Sequence, residues 1–333
     1  VSRRGRDEPP VLERFGDLLL PSEALEPILA KPVRMALLEW LTETWEAEKL
    51  EAVGVKPRQR AIFDGAPGVG KTTLAHHLAA RLGLPMLAVR PEMVVDKYVG
   101  STAQNIGALF DLAAAGLDEG DYAGLPIVLF LDEFDGLGRQ RRRAEQASDE
   151  ERNAYVNVLL QRLEQHKGIV IAATNFGEHV DQAIWRRFDI HVTLDLPGQR
   201  ERELILERYL EPFGLPPESL RQLADALSTA SPDLIRKFCE NVKRQIVLAP
   251  LLGHRDDRDG VIGRVLAAVQ PHPDLGKPPL WSLDIDHNAV RQMPWPLPMA
   301  ADLPALAKVS EVEVSEGPCN SEVVNLADRK KRP

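Results

Sequence analysis

Three short stretches carry residue types at spacings that suit phosphoryl chemistry. Gly65-Ala66-Pro67-Gly68-Val69-Gly70-Lys71-Thr72-Thr73 fits the P-loop pattern. Its glycines let backbone N–H groups close around phosphate oxygens, and the helix that starts there adds a favourable dipole. Lys71 offers a point charge to the β and γ phosphates of a nucleotide, and Thr72 offers a hydroxyl to Mg²⁺. The second stretch, Ile127 to Leu131, is an unbroken apolar run that leads directly into Asp132-Glu133. Such a run describes a strand buried on both faces, and its carboxyl end is where open α/β sheets bind ligands. Asp132 suits the Mg²⁺ shell, and Glu133 suits orientation of an attacking water. The third, Ile169 to Thr174-Asn175, is another buried strand with a polar end. An Asn after a strand is ordinarily a turn residue. Its place behind the other two stretches makes Asn175 a candidate reader of the γ-phosphate.

These groups must be held by regular elements. Between 58 and 195, short apolar runs alternate with amphipathic stretches. The pattern predicts strands at Ala61–Asp64, Met86–Arg90, Ile127–Leu131, Ile169–Ala173 and Ile190–Leu194, with helices at Lys71–Leu82, Thr102–Ala115 and Asn153–Gln165. Strand, helix, strand at this spacing implies βαβ units and a mainly parallel sheet. The fold class is therefore α/β, with a P-loop parallel sheet followed by a small helical lid. After Pro197-Gly198 the periodicity becomes helical, over Glu203–Leu210, Pro217–Leu227 and Pro232–Val247, with one more helix within 255–269. From 271 onward ten of the last 63 residues are proline, which predicts a loose tail laid over the surface or a docking arm. The expected organisation is an N-terminal extension over 1–57, the α/β unit over 58–197, the helical lid over 198–270 and the tail over 271–333.

The chain of 333 residues has 50 acidic against 41 basic residues, a net charge of −9, which argues against a mainly electrostatic nucleic-acid binder. Two cysteines in no metal-like spacing exclude a disulfide framework and a zinc site from the expectations. Neither an apolar leader nor a membrane-length apolar run is visible, so the expectation is a cytoplasmic chain without a membrane partner.

The order P-loop, Asp-Glu, Thr-Asn, then Ala183-Ile-Trp-Arg186-Arg187-Phe-Asp189 resembles the AAA+ family, and within it the AAA group in the narrow sense. The resemblance covers residues 15–250 and is similar in detail to stand-alone bacterial AAA ATPases encoded beside subtilisin-like proteases. It implies ATP as substrate, Mg²⁺ as cofactor, and a homo-oligomer, typically a hexameric ring. Arg186 and Arg187 then become arginine fingers reaching the γ-phosphate bound by the next copy, a task that suits a planar guanidinium. Asp17, in Asp17-Leu18-Leu19, is expected to line the adenine pocket, although the glycine pair usual after it is missing. Lys97, Tyr98 and Val99, before Gly100, match a pore loop that grips an extended protein substrate.

The same resemblance leaves other positions open. Some AAA+ groups carry a nucleotide-sensing arginine where Asp233 stands, and Arg236, one turn on, is expected to face elsewhere. Arg139-Gln-Arg-Arg-Arg143 sits in a locally neutral segment and reads as a solvated loop. The implied activity is ATP-driven remodelling, unfolding or translocation of protein substrates. The alternatives are an ATP-dependent switch that controls a partner enzyme such as a protease, or a DNA-associated AAA+ regulator.

Overall fold

The structure is a computed structural model that describes residues 12–95, 100–117, 119–137, 147–254, 256–282 and 288–303. Its elements run β1 (Gly16–Leu19), α1 (Lys31–Trp45), α2 (Ala47–Ala52), β2 (Arg60–Gly65), α3 (Lys71–Arg81), β3 (Met86–Val89), α4 (Pro91–Val94), α5 (Ser101–Ala115), β4 (Val128–Leu131), α6 (Phe134–Leu137) and α7 (Ala147–Gln165). They continue with β5 (Val170–Thr174), α8 (Gln182–Trp185), β6 (Ile190–Leu194), α9 (Gln199–Leu210), α10 (Pro217–Ala226), α11 (Pro232–Leu251), α12 (Arg258–Ala268), α13 (Pro279–Ser282) and α14 (Asn288–Arg291).

The six strands form one sheet in the order β1-β3-β4-β5-β2-β6. All neighbours are parallel except β1, which runs antiparallel to β3 on the edge. Side chains alternate between faces along each strand, and both faces are covered. Leu87, Val89, Leu129, Leu131, Ile62 and Val170 join the layer made with α5 and α7. Met86, Val128, Phe130, Ala61, Phe63 and Ile171 join the layer made with α1 and α3. The strand β1 was not among the expected elements, because four residues with a glycine at the start carry little periodicity.

A second apolar cluster is built from α9, α10, α11, α12 and residues beyond them. Arg202, buried at the start of α9, ties this unit to its entry: its guanidinium donates to Pro197 O at 2.7 Å and to Ala224 O at 2.7 Å. The expectation of a loose tail from 271 onward is corrected for its described part. Leu280, Ala289, Val290, Met293 and Leu297 are buried in the helical cluster, and Trp281 and Trp295 pack against it. Gly214 N donates to Pro298 O at 3.0 Å and Ala300 N to Pro212 O at 2.9 Å. Proline excludes regular ladders but not packing, and here it stands at the start of α13, where its missing N–H costs nothing. Among the described residues no helix is long and apolar enough to cross a membrane.

Trp281 is the fastening point of this segment. Its indole N–H donates to Val269 O at 2.7 Å, and its ring stands edge-on to Phe238 at 6.1 Å between centroids. Trp281→Ala is expected to destabilise the helical unit by about 2–4 kcal/mol, read as a lower urea midpoint in the full chain. An unchanged midpoint would mean that the segment only rests on the surface.

Candidate functional site

The carboxyl ends of β2, β4 and β5, the three adjoining central strands, converge on one cavity of about 660 Å³. Its lining includes Pro67, Gly68, Gly70, Lys71, Thr72 and Thr73 from the loop after β2, Asp132 and Glu133 after β4, and Asn175 after β5. The structure thus brings together the three stretches singled out in the sequence. Val69 is buried under the loop in the α1–α3 layer.

Lys71 sits inside the loop, 8% exposed. Its ammonium donates to Gly65 O at 2.6 Å, Ala66 O at 3.1 Å and Asn175 Oδ1 at 2.7 Å. Burial pushes its pKa below the ordinary lysine value, while the carboxylates of Asp132, Asp64 and Asp135 work against that shift. Thr72 Oγ1 donates to Asp132 Oδ2 at 3.3 Å, so two hard oxygen donors lie side by side at the loop's exit. That donor set suits Mg²⁺.

Glu133 is the one non-glycine residue with positive φ among the described residues, at +43°. An L residue there stores roughly 1–2 kcal/mol of strain. Two contacts hold the turn: Glu133 N donates to Asp132 Oδ1 at 2.9 Å, and Gly136 N donates to Glu133 O at 2.8 Å. The next residue, Phe134, is fully buried and anchors the turn from below. Thr174, also fully buried, donates to Asp135 Oδ1 at 3.1 Å and accepts from Phe176 N at 3.0 Å. That hydroxyl fixes α6 relative to the end of β5, and with it the spacing of Glu133 and Asn175.

The far wall comes from α11 and α9. Asp233 N donates to Gly68 O at 3.2 Å, and the Ser231 hydroxyl caps α11 by accepting from Leu234 N at 3.3 Å. Asp233, Arg236 and Glu240 all line the cavity. The expectation that Arg236 faces elsewhere is corrected: residues three and four apart share a helix face, and Arg236 donates to Asp233 at 2.6 Å and to Glu240 at 3.0 Å. Burial works to raise the Asp233 pKa, yet Lys237 and Arg236 outweigh it and hold the carboxyl below its ordinary value. Leu25, Tyr209 and Pro232 complete the lining, and nothing in the sequence pattern pointed to Leu25 or Tyr209.

Other expected residues stand elsewhere. Asp17 does not line the cavity: it lies on the edge strand β1, with its carboxylate paired to Arg90. The chain reaches the cavity only after it has turned past α3, at Leu25. Arg186 and Arg187 follow α8 and do not line the cavity of their own chain. Arg186 is exposed, whereas Arg187 pairs with Glu164 at 2.5 Å. Lys97, Tyr98 and Val99, and the basic run 139–143, lie outside the described residues.

The loop glycines permit a differential test. Gly68 and Gly70 have φ of +78° and +96°; a Cβ on Gly68 would sit 3.0 Å from Ser231 Oγ and 3.1 Å from Asp233 Cβ, while one on Gly70 would meet nothing within 4 Å. Alanine at either position should cost about 1–2 kcal/mol of backbone strain. Only Gly68→Ala should also open the contact with α11, seen as faster hydrogen exchange at the Asp233 amide. Equal exchange in the two variants would refute that coupling.

Residues 61–196 match the family described as "ATPase family associated with various cellular activities (AAA)". An uncharacterised AAA family ATPase of Sinorhizobium fredii is 39% identical over 163 residues, which is 48% of this chain and 46% of that protein. A putative 26S proteasome regulatory subunit homologue of Methanothermobacter thermautotrophicus is 35% identical over 161 residues, 47% of this chain and 41% of its own length. An ATP-dependent zinc metalloprotease of Symbiobacterium thermophilum is 34% identical over 180 residues, 52% of this chain and 29% of its own length. The chain thus matches less than half the length of each of these relatives. Over residues 61–196 the chain is similar to the AAA ATPase family.

Proposed function

We propose that this chain binds ATP with Mg²⁺ in the cavity after β2, β4 and β5 and hydrolyses it, within a ring of copies, to drive work on protein substrates. The observation that carries the proposal is the convergence of Lys71, Thr72, Asp132, Glu133 and Asn175 on one cavity with a helical wall opposite. The names of the relatives, a proteasome regulatory subunit homologue and an ATP-dependent protease among them, support protein as the substrate class.

The phosphates lie in the loop, where the α3 N-terminus and Lys71 meet negative charge. Leu25 and Tyr209 offer an apolar wall to the base. Thr72 and Asp132 are the residues that would hold Mg²⁺, which supplies charge neutralisation to the β and γ oxygens. Glu133 accepts a hydrogen bond from the attacking water and polarises it. Asn175 already touches the Lys71 ammonium, so a γ-phosphate between them changes both partners. Positive charge for the transition state comes from Arg186 and Arg187 of a neighbouring copy, and Arg187 has to share or leave Glu164 to take part. In this reaction class, positioning and charge account for most of the acceleration.

Turnover per chain should rise steeply with protein concentration and fall at least a hundredfold in Glu133→Gln, while ATP still binds. Arg186→Ala should abolish turnover alone yet supply a working site to a copy whose own fingers are intact. A rate indifferent to concentration sinks the trans-finger reading. Stimulation by unfolded protein that disappears in Tyr98→Ala supports threading; stimulation by DNA alone overturns the protein-substrate reading.

A further inference from the structure

Away from the cavity, two apolar surfaces are left uncovered by the described residues. The helix α11 buries Leu234, Ile235, Phe238, Cys239, Val242 and Ala249 in the helical core. Its last two turns carry a second stripe, Arg244, Val247, Leu248 and Leu251, at the i, i+3, i+4, i+7 spacing of a single face. Val247 is 62% exposed, Leu251 77% and the adjoining Leu252 61%. A surface helix needs one apolar stripe to join a core, so the second has no use within this layer.

The other surface is a groove of about 610 Å³ between α1 and α2. Met35 and Leu38, both exposed, lie along it with Thr42, and Leu50 of α2 closes it. The inner face of α1 is already committed to the core through Leu37, Trp40 and Leu41. Among the described residues that line the groove, the charged ones are Glu39, Glu43 and Glu46. Arg58 pairs with Glu43 and Glu39, and Lys49 pairs with Glu46, yet Glu39 stays 70% exposed. On the stripe the charge is opposite: Arg244 is exposed, bonds only to the neutral Asn241 carbonyl, and has no ion pair among the described residues.

We propose that these surfaces are two halves of one contact between copies of this chain: the α11 stripe of one copy seats in the α1–α2 groove of the next, with Arg244 against the glutamate rim. Polarity and charge agree. An exposed helical stripe laid into an apolar groove is a common mode of recognition, read as i, i+3, i+4, i+7 anchors. The groove's rim is acidic where the stripe is basic, which fixes direction and register more than it adds affinity. Because the two surfaces differ, the contact is heterologous. It propagates head to tail and closes into a ring, or winds into a filament, in place of a two-fold dimer. The inference deepens the proposed ring by naming a surface that assembles it, and it does not depend on which arginine acts in trans.

The experiment is sedimentation velocity on the full chain with ATP, in the Glu133→Gln background so that nucleotide persists. Leu251→Asp and Leu38→Asp change exposed side chains, so each should melt as the parent does and sediment as the monomer. Arg244→Glu should weaken assembly by about tenfold, and adding Glu39→Arg should restore it. In a Cys319→Ser background, a mixture of Leu251→Cys and Leu38→Cys chains should form the mixed disulfide in preference to either self-pair. Assembly of both aspartate variants like the parent, or self-pairing of Leu251→Cys in preference to the mixed pair, would overturn the proposal. Arg186→Ala in a chain that keeps Glu133 is the separating control, since it should assemble fully while turnover is lost. Loss of turnover without loss of assembly tests the finger; loss of assembly in the aspartate variants tests the surface.

Discussion

Lys71 holds a positive charge at 8% exposure, and an ammonium taken out of water costs several kcal/mol unless acceptors surround it. The P-loop answers that demand with backbone carbonyls from Gly65 and Ala66 and a side-chain carbonyl from Asn175. Much else in the site follows from meeting it. Beyond those two carbonyls the loop turns through positive φ at Gly68 and Gly70 before Lys71. The β5 strand must end opposite the loop, which fixes β5 beside β2 in the sheet. The three nearby aspartates favour the charged form without touching the ammonium directly. The arrangement is therefore preorganised for an anion that replaces some of these acceptors.

Within one copy the acidic turn is also linked to the segment that carries Arg186 and Arg187. Phe134, immediately after Glu133, stands edge-on to Phe188 at 5.6 Å between centroids. Phe188 follows Arg187, whose guanidinium is paired with Glu164 at the end of α7. Arg60, at the start of β2, donates to Leu163 O at 2.9 Å and lies 3.5 Å from Asp189. A close-packed interior transmits displacement because it has few voids to absorb it. One aromatic contact thus links the residue after Glu133 to the residue after Arg187.

How much of this was legible in the sequence depends on whether the signal was local. The P-loop, the acidic pair and the five parallel strands are written in consecutive residues, since apolar runs and glycine turns are backbone-scale patterns. The wall formed by Leu25 and Tyr209 is not, because it is made by elements far apart in the chain. Arg236 faces the cavity beside Asp233 because a residue three further on shares a helix face. In the stretch after 271 the prolines mask an apolar spacing that packs. Leu280, Val290, Met293 and Leu297 recur at intervals that a packed segment needs, and the two tryptophans supply the anchoring area.

The segment between β1 and α1 joins the two halves of the molecule. At one end His76, on the P-loop helix α3, contacts Leu20 O at 2.8 Å. In the middle Leu25 lines the cavity, and Arg208 of α9 donates to Glu26 O at 2.5 Å. Then Ile28 packs on the helical cluster and Leu29 on the layer under the sheet. The helical unit touches the loop from the other side through Asp233 N and Gly68 O. Both of these contacts between the two units therefore lie beside the cavity. Whatever fills it must fit between a loop held by α11 and a strap held by α3 and α9.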